Sequence, residues 1–118
     1  MVESFEEIVE LSLLFEFYGE MLGEHKKQIF EDYVLNDLSL AEIAEEEGIS
    51  RQGVHDIVKR CTKQLKEYEA ALHLVEKFQN MKTKLTKASE LLGTLDKEAD
   101  ASDITEARKL LKEMLEEL

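Results

Sequence analysis

Apolar residues recur every three or four positions along most of the chain, and nowhere do they alternate with polar ones. A period near 3.6 marks helices packed on one face, whereas half-buried strands need a period of two. The pattern predicts an all-α protein. Residues 38–60 are the most explicit stretch. Ser39 followed three residues later by Glu42 makes a capping box, in which hydroxyl and carboxylate each satisfy an orphan N–H at a helix start. Leu40, Ile43 and Ala44 then share a face. Gly48 stands where a helix C-terminus takes a left-handed residue, a conformation glycine adopts without Cβ strain. Ile49 is placed to plug the corner, and Ser50 to cap a second helix. Val54, Ile57, Val58 and Cys61 give that helix a face to pack on the first. Together these features describe a helix-turn-helix.

Residues 4–22 form a helix that opens on Ser4 and Glu7, a second capping box. Its apolar positions, Phe5 to Leu22, cover more than one stripe. The helix therefore either packs on two sides, one of them against a partner subunit or an extension helix, or runs through the middle of a single core. Gly19 inside it costs about 1 kcal/mol relative to alanine. Gly23 ends it. Residues 24–35 form the next helix, packed through Ile29, Phe30, Tyr33 and Val34, with Asn36 and Asp37 as turn residues before Ser39.

From Ser50 to about Leu92 only Gly53 interrupts good helix formers, so one long helix is expected. It carries two stripes. Cys61, Leu65, Tyr68, Leu72 and Val75 close the globular core. Ala71, Leu74, Phe78, Met81, Leu85, Ala88 and Leu92 make a heptad seam. That seam wants a partner: a second chain, which makes a homodimer, or the first or C-terminal helix of the same chain. Residues 93–102 are the best linker. Asp103 and Glu106 offer a third capping box, opening a terminal helix through Leu118. The resulting division is a helix-turn-helix domain over 1–68 and a helical extension, a candidate dimerisation hairpin, over 69–118.

Composition agrees: there is no proline among 118 residues, and Ala, Leu, Glu and Lys dominate. Charge refines the picture. The formal net charge is −12, unusual for a protein that grips phosphates. Residues 1–47 hold 14 acids and 2 bases, whereas residues 48–68 hold 5 bases and 2 acids. The basic excess thus falls on the second helix of the motif, where Arg51, Gln52, His55, Asp56 and Lys59 point away from the packed face. Donors in the first turns of such a helix reach base edges in the major groove. Arg51, Gln52, His55 and Lys59 are the candidate nucleic-acid contacts, with Arg60 and Lys63 on phosphates. A helical hairpin used only for packing or protein binding is the plainer alternative, as is a solvated surface role for His55. A second basic patch runs from Lys77 to Lys87.

No phosphate loop, nucleophile elbow or His–carboxylate pair occurs. His25, His55 and His73 are too far apart to suggest a metal site, and no Cys or His pair has zinc-ligand spacing. The chain is not expected to be an enzyme or to carry a cofactor or metal. Cys61, the only cysteine, lies on the apolar stripe and is expected buried; the lack of an internal disulfide suits a reducing cytoplasm. No leader and no apolar run near transmembrane length is present, so a cytoplasmic protein without membrane insertion is expected.

Three blocks also carry a family resemblance: Leu14–Tyr18, Asp37–Glu46 and Gly48–Val54. Lys59–Arg60 and Lys66–Glu69 add to it. In this order they resemble the bacterial YlxM family over about residues 11–80; Gly53, where alanine is expected, and the C-terminal part depart from it. That family is similar in fold to region 4 of bacterial sigma factors and is associated with the signal recognition particle pathway, chiefly through a gene beside that of the particle's GTPase. The resemblance implies a regulatory or accessory role there, with DNA, the particle's RNA or the GTPase as partner. It supplies no catalytic residues. An adaptor whose acidic face binds the targeting GTPase, without reading DNA, is the alternative, and a transcription factor with its own operator a third.

Overall fold

The computed structural model describes residues 4–95 and 101–117. Six α-helices follow in order: α1 Phe5–Tyr18, α2 Glu24–Val34, α3 Leu40–Glu47, α4 Arg51–Leu72, α5 Leu74–Leu95 and α6 Ala101–Glu117. A short 3-10 turn, Gly19–Leu22, joins α1 to α2. No strand occurs among the described residues, so the chain is all-α. No described helix is long and apolar enough to cross a membrane.

The chain divides into two compact units, Met1–Val75 and Glu76–Leu118. In the first, α1, α2 and α3 close on the inner face of α4. Tyr18, Ile29, Phe30, Ile43, Val54, Val58 and Leu65 are fully buried there, with Cys61 at 1% exposure. The Phe15 and Phe30 rings meet at 5.7 Å and the Tyr18 and Tyr68 rings at 5.9 Å. Asp32 is a buried carboxylate: it accepts from the side chains of Gln28 at 3.1 Å and Asn36 at 2.8 Å, while its own carbonyl takes the Leu38 N–H. Those bonds shape the turn into α3, in which Asp37 takes a positive φ of 53°. A buried carboxylate left without such donors would be costly.

Several expectations need correction. The first helix does not run to residue 22: α1 ends at Tyr18 and the chain tightens into the 3-10 turn, whose Gly19 lies under the Phe15 ring. One side of α1 is buried, but Phe5 stays 83% and Val9 44% exposed. Ile49 does not fill the corner of the motif; it is 36% exposed.

The expected continuous helix over 50–92 is interrupted at His73, which adopts a left-handed φ of 55° and ψ of 29°. The reason is tertiary. The Tyr18 hydroxyl and the Glu69 carboxylate capture the N–H groups of Leu74 and Val75, giving α5 a start of its own. The interruption also redistributes the first stripe: Val75 is buried in the core, while Leu72 is 44% exposed.

In the second unit, α5 continues to Leu95, so Gly93 and Thr94 are helical rather than linker. Ser102 is likewise inside α6, and Asp103 sits in its first turn, not at its cap. The rest of the expected linker, 96–100, lies outside the described residues. Arg108 of α6 places its guanidinium against Gly93, where a Cβ would meet Nη2 at 3.4 Å.

Candidate nucleic-acid interface

Local chemistry builds the motif. The Ser39 hydroxyl accepts the Glu42 N–H at 3.1 Å and the Glu42 carboxylate accepts the Ser39 N–H at 3.2 Å, closing the capping box that starts α3. Gly48 ends the helix at φ 68°, ψ 31°, and the Ile49 N–H returns to the Ala44 carbonyl at 3.2 Å. Ser50 then caps α4 by accepting the Gly53 N–H at 2.9 Å. The two caps and the left-handed glycine fix how α3 meets α4. Ile43 and Ala44 on one side and Val54 and Val58 on the other are buried at that junction.

Burial of Val54, Val58, Cys61 and Leu65 turns the opposite side of α4 to solvent. A helix repeats at about 3.6 residues per turn, so Gln52, Asp56, Lys59, Lys63 and Glu67 line that side, with Arg60 and Lys66 at its edges and Arg51 exposed at the start of the helix. Arg51, Gln52, Lys59, Arg60, Lys63 and Lys66 are all exposed. His55 is half-buried, its side chain 32% exposed. Of the six residues singled out from the sequence, Gln52, Lys59, Arg60 and Lys63 share this side of α4, which Lys66 extends one turn beyond Lys63; Arg51 stands apart at the helix start and His55 is half-buried at the margin. The spacing of three from Lys63 was the available signal for Lys66.

The face is not uniformly cationic. Asp56, the only acid between Arg51 and Lys66, accepts the Gln52 amide at 3.0 Å, and its Oδ1 lies 3.7 Å from His55 Nδ1. Gln52 and His55 are therefore grouped around a carboxylate. The start of α4 is otherwise favourable to anions: its first turn carries no acid, and the positive end of the helix dipole lies beside Arg51. Among the described residues no cluster could hold a metal ion.

An all-α unit with two capped helices about a left-handed glycine, and a polar, basic outer face on the second, is a helix-turn-helix protein. The chain belongs to the family described as "Putative helix-turn-helix protein, YlxM / p13 like" (UPF0122), whose profile matches residues 5–107. It is 48% identical over 82 residues to a UPF0122 protein of Caldanaerobacter subterraneus, covering 70% of each chain. It is 40% identical over 108 residues to a UPF0122 protein of Bacillus velezensis, covering 92% of this chain and 98% of that one. It is 38% identical over 108 residues to the UPF0122 protein YlxM of Bacillus subtilis, with the same coverage. No solved structure matches it.

Proposed function

We propose that this chain is a nucleic-acid-binding regulatory protein that contacts duplex DNA or structured RNA through α4, and that it serves as an accessory of the signal recognition particle pathway in the cytoplasm. The observation that carries the binding reading is the set of exposed cations Arg51, Lys59, Arg60, Lys63 and Lys66 on the helix that a helix-turn-helix presents to the groove. The pathway reading rests on kinship with YlxM alone. Exposed Glu42, Glu45 and Glu46 lie on α3, the first helix of the motif, and keep affinity low, so binding is reversible and salt-sensitive. The chain acts as a homodimer, with the 69–118 extension supplying the pairing surface.

The test is fluorescence anisotropy with duplex DNA and with the particle's RNA across a salt series, for the wild type, Arg51→Ala and Lys59→Ala. Binding at low salt that weakens in both variants supports the reading. If neither nucleic acid binds at low salt, or the substitutions change nothing, it fails.

The excess of acids in residues 1–47 favours a second reading, an adaptor that holds the basic surface of the targeting GTPase without reading nucleic acid. Co-purification with that GTPase that survives nuclease treatment distinguishes it.

A further inference from the structure

Two exposed surfaces of this chain are apolar at the centre and carry opposite charge around it. The first is a groove of about 540 Å³ between α1 and α2. Val9, Leu13 and Leu35 form its apolar floor, and Glu16, Glu20 and Glu31 stand around it. Val9 is 44% and Leu35 52% exposed, so the floor is open to solvent. Lys27 also lines the groove, but its ammonium is paired with Glu20 at 2.5 Å, leaving the rim anionic. From Val9 to Glu20 the groove follows roughly three helical turns, enough to seat a docked helix.

The second surface is on α5. Met81, Leu85 and Ala88 lie along one side of it, beside Lys77 and Lys84. Met81 is 51% exposed. No acid occurs from Lys77 to Ser89. This lysine pattern argues against pairing α5 with another α5. In the heptad frame set by Leu74, Met81 and Ala88, Lys77 and Lys84 hold one flank and Lys82 the other. Parallel copies would set Lys77 against Lys82, and antiparallel copies would set each lysine flank against itself. An apolar strip flanked by lysines needs an apolar surface flanked by acids.

We propose that two copies of this chain exchange α5 helices, each lying in the α1–α2 groove of the other. The proposal rests on the homodimer reading above and states where the contact falls. Reciprocal exchange closes with two-fold symmetry and uses both surfaces in both copies. Met81 and Leu85 cover Val9, Leu13 and Leu35, and the two lysine flanks, Lys77 and Lys84 on one side and Lys82 on the other, meet the acids on the two walls, Glu16 of α1 and Glu31 of α2.

Sedimentation equilibrium of the full chain at low and high salt tests this, with Glu16→Lys/Glu31→Lys, Lys77→Glu/Lys82→Glu (one lysine from each flank) and their equimolar mixture. The wild type is expected to dimerise, more weakly as salt rises. Each double variant alone should weaken the dimer by about tenfold or more, because like charges then face each other. Their mixture should regain near wild-type affinity, since every helix again meets a groove of opposite sign; that rescue also shows that both variants fold. Glu16→Gln/Glu31→Gln should weaken the dimer to a lesser extent. A wild type that stays monomeric overturns the dimer and the exchange together. A dimer that tolerates both groove variants overturns the exchange alone, and points to α5 self-pairing if only the lysine variant alters it.

Discussion

The Tyr18 hydroxyl donates to Oε1 of Glu69 at 2.5 Å, across 51 residues of sequence. The same hydroxyl accepts the Leu74 N–H at 3.1 Å, and the same carboxylate oxygen accepts the Val75 N–H at 3.0 Å. Two side chains thus cap the start of α5 from outside it. Tyr18→Phe keeps the buried ring and removes the bridge, leaving the Leu74 N–H unpaired. A hydrogen bond to a charged group is worth about 1.5–3 kcal/mol, and a loss of that size is expected in urea unfolding. Amide exchange at Leu74 should accelerate alongside it. An unchanged midpoint would show the bridge to be without weight.

Alkaline pH probes the same group. Burial, and then the hydrogen bond to Glu69, raise the Tyr18 phenol above its ordinary 10.0. The folded state therefore holds the proton more tightly than the unfolded chain does. The resulting stability is fully present below pH 10 and is lost as pH rises from there through the folded value. Unfolding followed from pH 9 to 12 should show a steeper loss for the wild type than for Tyr18→Phe.

Gly19→Ala should destabilise the protein, although helix propensity alone favours alanine by about 1 kcal/mol. An added Cβ would lie 2.9 Å from two carbons of the Phe15 ring, which is itself packed on Phe30. Forcing that ring aside should cost about 1–3 kcal/mol. A thermal melt decides the sign; a raised midpoint would mean that the ring gives way freely.

Cys61 should be silent toward thiol reagents in the native state. It is 1% exposed, and burial raises its pKa above the ordinary 9.0 despite the opposing pull of Lys26. The thiolate, which is the reactive form, is scarce and covered. A disulfide reagent should label one thiol per chain in denaturant and almost none without it. Rapid labelling of the folded chain would contradict the packing.

Asp56→Asn should strengthen nucleic-acid binding at low salt. It removes the only acid between Arg51 and Lys66 while keeping an oxygen to accept from Gln52. For duplex DNA, the slope of log affinity against log salt is about −0.9 for each phosphate neutralised, so five cations allow no steeper than about −4.5. Lys63→Ala should make the slope shallower by about 0.9, and Lys66→Ala the same. Equal affinities for Asp56→Asn and wild type at low salt would remove the acid from the account.

The motif was legible because its determinants are local. Ser39, Glu42, Gly48 and Ser50 each act on backbone groups within a few residues, and the structure uses all four as their types suggest. The packing faces of α2 and α4 were legible for the same reason: periodicity alone picks out Ile29, Phe30, Val54 and Val58. Gly19 was not, because its value lies in the Phe15 ring above it and not in its own backbone freedom. Nor was the end of α4, since nothing near His73 breaks a helix and the deciding pair, Tyr18 with Glu69, forms only when the chain folds. Lys66 lies beyond the first turns of α4, where base contacts fall, and the exposed side of the helix continues out to it.

His73 is neither glycine nor asparagine, yet it occupies the left-handed region between two helices of 22 residues each. A fragment spanning 51–95, cut away from α1, would lack the phenol that holds α5 apart. Such an excised peptide should relax toward one uninterrupted helix, regaining the backbone bonds that the native arrangement forgoes. Where α4 stops is thus a property of the assembled unit, inherited from its N-terminal helix, and a library of fragments would misreport it.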